Sequence, residues 1–209
     1  MKLYYATNSC SLSPHIIANE AGISLDLEKV NITKAPHLTE AGQDFAEINP
    51  KGYVPALRLD DGSLLTEGVA IALYLADRTP QSGLAPAEGT PERYRLLEWL
   101  TFISSELHKA YSPWLFHPEL GETAQQAARA KIADRLALIE KHLATNAYLL
   151  GERFSAADAY AFTVIGWSKW TRVDLTPYPR LRDYLQRIAA RPHVREAMRA
   201  EGMAIAAAA

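Results

Sequence analysis

Residues 77–92 read DRTPQSGLAPAEGTPE, and no other stretch limits the fold as much. Three prolines and two glycines among small polar residues break both helical and strand periodicity, so the stretch reads as a linker. Before it, short β-like runs alternate with helical ones; beyond it, every repeat falls at helical period. The chain is therefore expected to divide into a first unit at 1–78, a linker at 79–90, a second unit at 91–203 and a short tail at 204–209.

The 209 residues are 48% hydrophobic and 22% charged, the balance of a globular chain with a sizeable core. A formal charge of −2 supplies no basic field, which argues against nucleic acid or an anionic membrane as partner. The longest apolar run, 69–76, is far short of the roughly 20 residues that span a bilayer. The first residues read as a strand with no signal-peptide core, so the expected location is cytoplasmic. With one cysteine, neither an intrachain disulfide nor a multi-cysteine metal site can form, and no metal is expected.

In the first unit, residues 2–6 predict a strand, and Ser13-Pro14 opens a helix to about Glu20, with proline at a position whose missing N–H costs nothing. Residues 25–32 carry apolar side chains spaced by two, a half-buried strand, and residues 39–48 have room for a short helix. Runs 54–59 and 63–66 flank Asp60-Asp61-Gly62, a hairpin signal, and 68–77 is an apolar helix. The order is β-α-β, then β-β-α: a small mixed sheet covered by helices.

In the second unit, Leu96, Leu100, Ile103 and Leu107 make one apolar stripe at 4-3-4 spacing, and Ile132, Leu136, Ile139 and Leu143 make another. Ser155-Ala156-Ala157-Asp158 resembles a capping box opening a nearly all-apolar, hence buried, helix through Trp167. A last helix over 179–190 is expected to stop at Arg191-Pro192.

Four features carry candidate chemistry. Cys10 lies between the first strand and the first helix, where unsatisfied N–H groups and the helix dipole favour a thiolate; the alternative is a buried structural cysteine. Val54-Pro55 opens a strand. A cis bond there would leave the preceding backbone free to pair with an extended peptide ligand, whereas local sequence favours trans, since only about 5–6% of X–Pro bonds are cis. Thr66-Glu67-Gly68 joins a strand to a helix whose first N–H groups suit a carboxylate, while Glu67 suits an ammonium or merely complements the dipole. Thr101, Ser105 and His108 repeat at 4-3 spacing as one polar helix face, a pattern that solvent alone also explains.

Together these pieces resemble the cytosolic glutathione S-transferases, and within them the bacterial beta class. The resemblance rests on Met1-Lys2-Leu3-Tyr4-Tyr5, Ser9-Cys10-Ser11-Leu12-Ser13-Pro14-His15, Asn49-Pro50-Lys51-Gly52-Tyr53-Val54-Pro55-Ala56-Leu57 and Leu65-Thr66-Glu67-Gly68. Ser105-Glu106-Leu107-His108-Lys109, Ala157-Asp158-Ala159-Tyr160 and Ala200-Glu201-Gly202 complete it, so that it covers residues 1–203. It implies a thioredoxin-like α/β domain followed by an all-α domain, a homodimer built on the helix after the linker, and conjugation of glutathione to small hydrophobic electrophiles. The site it implies places Cys10 beside glutathione's sulfur, with Ser11 or His108 as a donor to it. Val54, before a cis Pro55, pairs with the cysteinyl backbone; Glu67 and Gly68 meet the γ-glutamyl end; Thr101, Ser105 and His108 close the site. Trp167 is expected to fill the core and Asp158 to be structural. The class often sets a Lys-Lys pair against the glycyl carboxylate. Here the loop reads Thr33-Lys34-Ala35-Pro36-His37, which leaves Lys34, or His37, for that contact.

Two thiols side by side do not both ionise easily, so a division of labour is expected, in which glutathione thiolate attacks electrophiles while Cys10 carries thiol–disulfide exchange or traps a glutathionyl intermediate. Two rivals share the scaffold: a glutathione-dependent reductive dehalogenase of aromatic catabolism, and a non-catalytic protein binding apolar ligands.

Overall fold

The computed structural model describes residues 1–204; the expected tail lies, from 205 onward, outside the described residues. The described residues divide into two compact units, one comprising Met1–Leu84 with residues 190–204, the other Ala85–Ala189.

The first unit is built on β1 (Lys2–Tyr5), α1 (Leu12–Glu20), β2 (Asp26–Asn31), β3 (Leu38–Thr39), α2 (Phe45–Ile48), β4 (Ala56–Arg58), β5 (Leu64–Thr66) and α3 (Gly68–Asp77). The sheet runs β3-β2-β1-β4-β5; β1 is parallel to β2, and the other neighbours are antiparallel. Alternation along the strands sorts the core. Tyr4 and Ala56, register partners, join Val30, Phe45, Ile48 and Val54 in one buried cluster. Leu3 and Leu57, also partners, are buried with Ile16, Ile17, Ile71 and Leu75 of α1 and α3. Each such fully buried side chain contributes about 1.5–3 kcal/mol. The Asp60–Gly62 turn behaves as its residues predict: Asp61 accepts from the backbone and hydroxyl of Ser63, and Gly62 takes the left-handed φ of +85°.

In the second unit, α4 (Pro91–Phe102) starts at a Thr90 cap, with Pro91 in its first turn, and runs into a π-helical turn at Ile103–His108, then α5 (Lys109–Tyr111). α6 (Glu122–His142), α7 (Ala156–Gly166), α8 (Ser168–Thr171) and α9 (Pro179–Ala189) follow. Both leucine-rich stripes are buried, and α7 is buried nearly all round. Asp158 seats α7: its carboxylate accepts from the Leu149 and Ser155 N–H groups, the Ser155 hydroxyl and the Tyr184 hydroxyl, all within 2.9 Å.

Two elements depart from the sequence expectation. Proline at 192 ends one helix and begins another, α10 (Pro192–Ala200), because a residue lacking an N–H is tolerated in a first turn. α10 packs on α1 in the first unit, so 190–204 group there and not with 91–189. The π-helical turn breaks the α-helical register assumed for residues 101–108.

Candidate functional site

The first unit assembles its candidate residues at the strand ends. Cys10 sits two residues before α1, half-buried, and its thiol donates to the Val54 carbonyl oxygen at 3.3 Å. The Val54–Pro55 bond is cis, as the resemblance implies and against the local expectation of trans. A Cβ added at Gly68 would meet Pro55 Cγ at 3.9 Å, which places the start of α3 against the same turn. Glu67 precedes that helix at φ +73°, a region that costs a non-glycine residue about 1–3 kcal/mol and recurs at ligand clamps. The first N–H groups of α3 follow it, without intrahelical acceptors by construction.

Glu67 is held by two groups that sequence reasoning missed. Lys51 Nζ pairs with its carboxylate and also donates to Thr66 Oγ1 at 3.0 Å, and the Tyr53 hydroxyl donates to the same carboxylate at 2.9 Å. The carboxylate raises the pKa of both Lys51 and Tyr53 by bonding their protonated forms. The signal was the Asn49-Pro50-Lys51-Gly52 turn, whose charge was read only as part of a turn.

Ser11 is fully buried. Its hydroxyl exchanges bonds with the Ala6 backbone and lies 2.7 Å from the Ser9 hydroxyl, so it shapes the Cys10 loop and is not exposed to donate to a ligand. Lys34 is exposed on the loop after β2. His37 of that loop donates through Nδ1 to the Gly52 carbonyl at 2.9 Å, tying the loop to the turn before Val54. Below the Cys10 loop, His15 Nδ1 lies 3.0 Å from Glu201 Oε1, both buried, and the Thr7 hydroxyl donates to the Glu201 carbonyl.

In the second unit the expected polar face separates. Thr101 and Ser105 stay exposed, the Ser105 hydroxyl bonding back to the Thr101 carbonyl. His108 instead lies 2.7 Å through Nδ1 from the Tyr160 hydroxyl and packs edge-on against Trp167, ring centroids 4.8 Å apart. The reason is α7, which packs against the π-helical turn and brings Tyr160 to its His108 end. Burial pushes the His108 pKa down from 6.5 to about 4, so the ring is neutral at pH 7. Trp167 is buried, as expected of a core residue, with Phe116 and Tyr111 also edge-on to it.

The first unit is a thioredoxin-like sheet with a cysteine before α1 and a proline turn beside it, and an all-helical unit follows it in the chain, the two-domain class that comparison with known proteins identifies. The glutathione S-transferase N-terminal domain model matches residues 9–78, and the C-terminal domain model matches 99–192. Glutathione S-transferase GstA of Escherichia coli O157:H7 is 41% identical, over 97% of this chain and 100% of its own length. A sphingomonad glutathione S-transferase, solved with glutathione, is 46% identical with a TM-score of 0.92, over 98% of this chain and 100% of that one. A beta-class enzyme from Sphingomonas chungbukensis is 44% identical with the same TM-score and coverage. This chain belongs to the glutathione S-transferase family, and its neighbours are bacterial enzymes of the beta class. Among the described residues, no helix is long and apolar enough to cross a membrane, and no cluster of metal-binding side chains occurs.

Proposed function

We propose that the protein binds glutathione on the Cys10 face of the first unit, conjugates it to small hydrophobic electrophiles, and uses Cys10 for thiol–disulfide exchange. The observation that carries this reading is the Cys10 thiol on the Val54 carbonyl, which puts the one cysteine against the backbone expected to pair with glutathione's cysteinyl residue. The chemistry of the surrounding groups suits the tripeptide's γ-glutamyl end: the start of α3 for its carboxylate, Glu67 for its ammonium. Lys34 remains the proposed partner of the glycyl carboxylate, and Thr101, Ser105 and His108 the proposed contribution of the second unit. The relative solved with glutathione supports the ligand. The reading includes a homodimer.

Two thiols at one site do not ionise together readily, which motivates the division of labour. Conjugation forms a bond between glutathione's thiolate sulfur and the electrophilic carbon and releases the leaving group with its electron pair; for an aryl halide, halide departs. In exchange, the Cys10 thiolate attacks a glutathionyl disulfide, forms a mixed disulfide and expels the other thiolate. A second glutathione thiolate then resolves it, leaving glutathione disulfide and restoring Cys10. Each unit by which a thiol's pKa falls below about 8.5 corresponds to about 1.4 kcal/mol of thiolate stabilisation.

Calorimetric titration of glutathione into wild type and Cys10→Ala, with disulfide reduction and aryl-halide conjugation assayed on both, tests the reading. Binding by both proteins, with reduction lost only in the variant, is expected. No binding by either would overturn the glutathione site, and equal loss of both activities would overturn the division of labour.

A further inference from the structure

We infer that Tyr160 is a positioning residue whose hydroxyl donates to His108 Nδ1, so that the imidazole is fixed with its proton on Nε2 and offers that N–H to an anionic group of the substrate. The inference rests on the proposed role of His108 as a site residue.

The 2.7 Å contact between His108 Nδ1 and Tyr160 Oη needs one proton, and either ring nitrogen or phenol can supply it. A neutral imidazole nitrogen is much the more basic acceptor of the two, and a phenol with an ordinary pKa of about 10 is a competent donor. The bond therefore runs from O–H to N, which leaves the ring's own proton on Nε2. Because burial keeps the ring neutral at pH 7, it has a single N–H, and the Tyr160 bond decides where that proton sits. Trp167, edge-on at 73°, fixes the plane of the ring, and Tyr160 itself stands at 82° to it. The ring's contact with Tyr160 is made at Nδ1, so the proton placed at the other end of the ring, on Nε2, is left for a ligand.

The consequence is chemical. With Nδ1 accepting and Nε2 protonated, His108 donates to a thiolate or carboxylate but takes no proton from a thiol. It acts as an uncharged donor and not as a base, so a thiol bound beside it delivers its proton to solvent.

Protein labelled with ¹⁵N-histidine tests the tautomer without any substrate. Wild type at pH 7 is expected to show a pyridine-type Nδ1 and a pyrrole-type Nε2 for His108, and Tyr160→Phe a mixture of the two forms. A pyrrole-type Nδ1 in wild type would overturn the inference. In parallel, Tyr160→Phe is expected to lower kcat for aryl-halide conjugation by about two- to tenfold, the range for one lost hydrogen bond, with a smaller change in KM for glutathione. In a His108→Gln background, whose side-chain amide donates without needing a tautomer, the same Tyr160→Phe change is expected to alter kcat less than about twofold. An effect of equal size in both backgrounds would overturn the positioning role in favour of a packing role for Tyr160. The expected tautomer, with kcat untouched by Tyr160→Phe and by His108→Gln, would overturn the substrate contact by removing His108 from the site, while the Cys10 experiment stands apart from that result.

Discussion

Each unit buries a carboxylate, and the two are satisfied very differently. Asp158, fully buried at the start of α7, receives four hydrogen bonds, two from backbone N–H groups and two from hydroxyls. Glu201, at the end of α10, is as deeply buried, yet among the described residues only Oε1 has a partner, His15, and Oε2 has none. Burial pushes both carboxyls above the ordinary carboxylate range, against the pull of Asp158's four donors and Glu201's single histidine. A carboxylate whose lone pairs are saturated is a structural post. One with an oxygen left over has room to hold a proton; with both pKa values raised, both contributions depend on pH, and the two differ in what holds the ionised form.

The largest expected effect therefore belongs to Asp158→Ala. The substitution leaves four buried donors unpaired at about 1–3 kcal/mol each before the unit relaxes, and a loss of about 4 kcal/mol or more follows. Urea titrations followed by circular dichroism measure it. Tyr184→Phe, which removes one donor and keeps the other three, is expected to cost about 1 kcal/mol. If Asp158→Ala costs no more than Tyr184→Phe, the saturated network is not what seats α7.

The same pair shows what a chain discloses before it folds. Asp158 was legible because its cap partner Ser155 lies three residues away, within the reach of a spacing rule. Glu201 was not, because His15 is 186 residues distant and only the packing of α10 on α1 brings them together. The apolar stripes of α4 and α6 and the hairpin were legible for the same local reason, whereas α1 begins at Leu12, two residues before the proline expected to open it. β3 is two residues long and α10 begins with the proline that ended its neighbour, so neither leaves a periodic trace. At the site, the residue types of Cys10, Val54 and Glu67 were visible, but the Cys10 thiol on Val54 and the grip of Lys51 and Tyr53 on Glu67 are tertiary facts. His108 was grouped with Thr101 and Ser105 by spacing; Tyr160, 52 residues on, sets it apart.

His108 extends the comparison to a buried base whose partner is a neutral phenol. Its pKa falls from 6.5 to about 4, so the unfolded chain binds the proton more readily than the folded one. The stability it contributes is fully present above pH 6.5 and is lost as pH falls toward 4. Between pH 7 and pH 4.5 this one group is expected to remove about 2 kcal/mol. His108→Gln should flatten that part of the profile in urea titrations at the two pH values. An unchanged slope would mean that the ring is protonated in the folded protein, with a charge its surroundings somehow accept.

The smallest effect is expected at Glu201, and its sign is the sharper test. Glu201→Gln keeps the shape and an oxygen to accept from His15, while it removes the ionisable group whose second oxygen has no donor among the described residues. At low pH, where Glu201 is protonated, wild type and variant should differ by less than about 1 kcal/mol. Because the folded-state pKa of Glu201 is raised, its stabilising contribution is fully present below the ordinary carboxylate range and is lost as pH rises through the raised value. The difference between the proteins should therefore move in favour of Glu201→Gln as pH increases from about 4.5 to about 8. Urea midpoints of both proteins across that range read it directly. A difference that moves in favour of wild type would show that ionised Glu201 gains more from His15 than it loses to burial, and would place it with Asp158 as a saturated anchor.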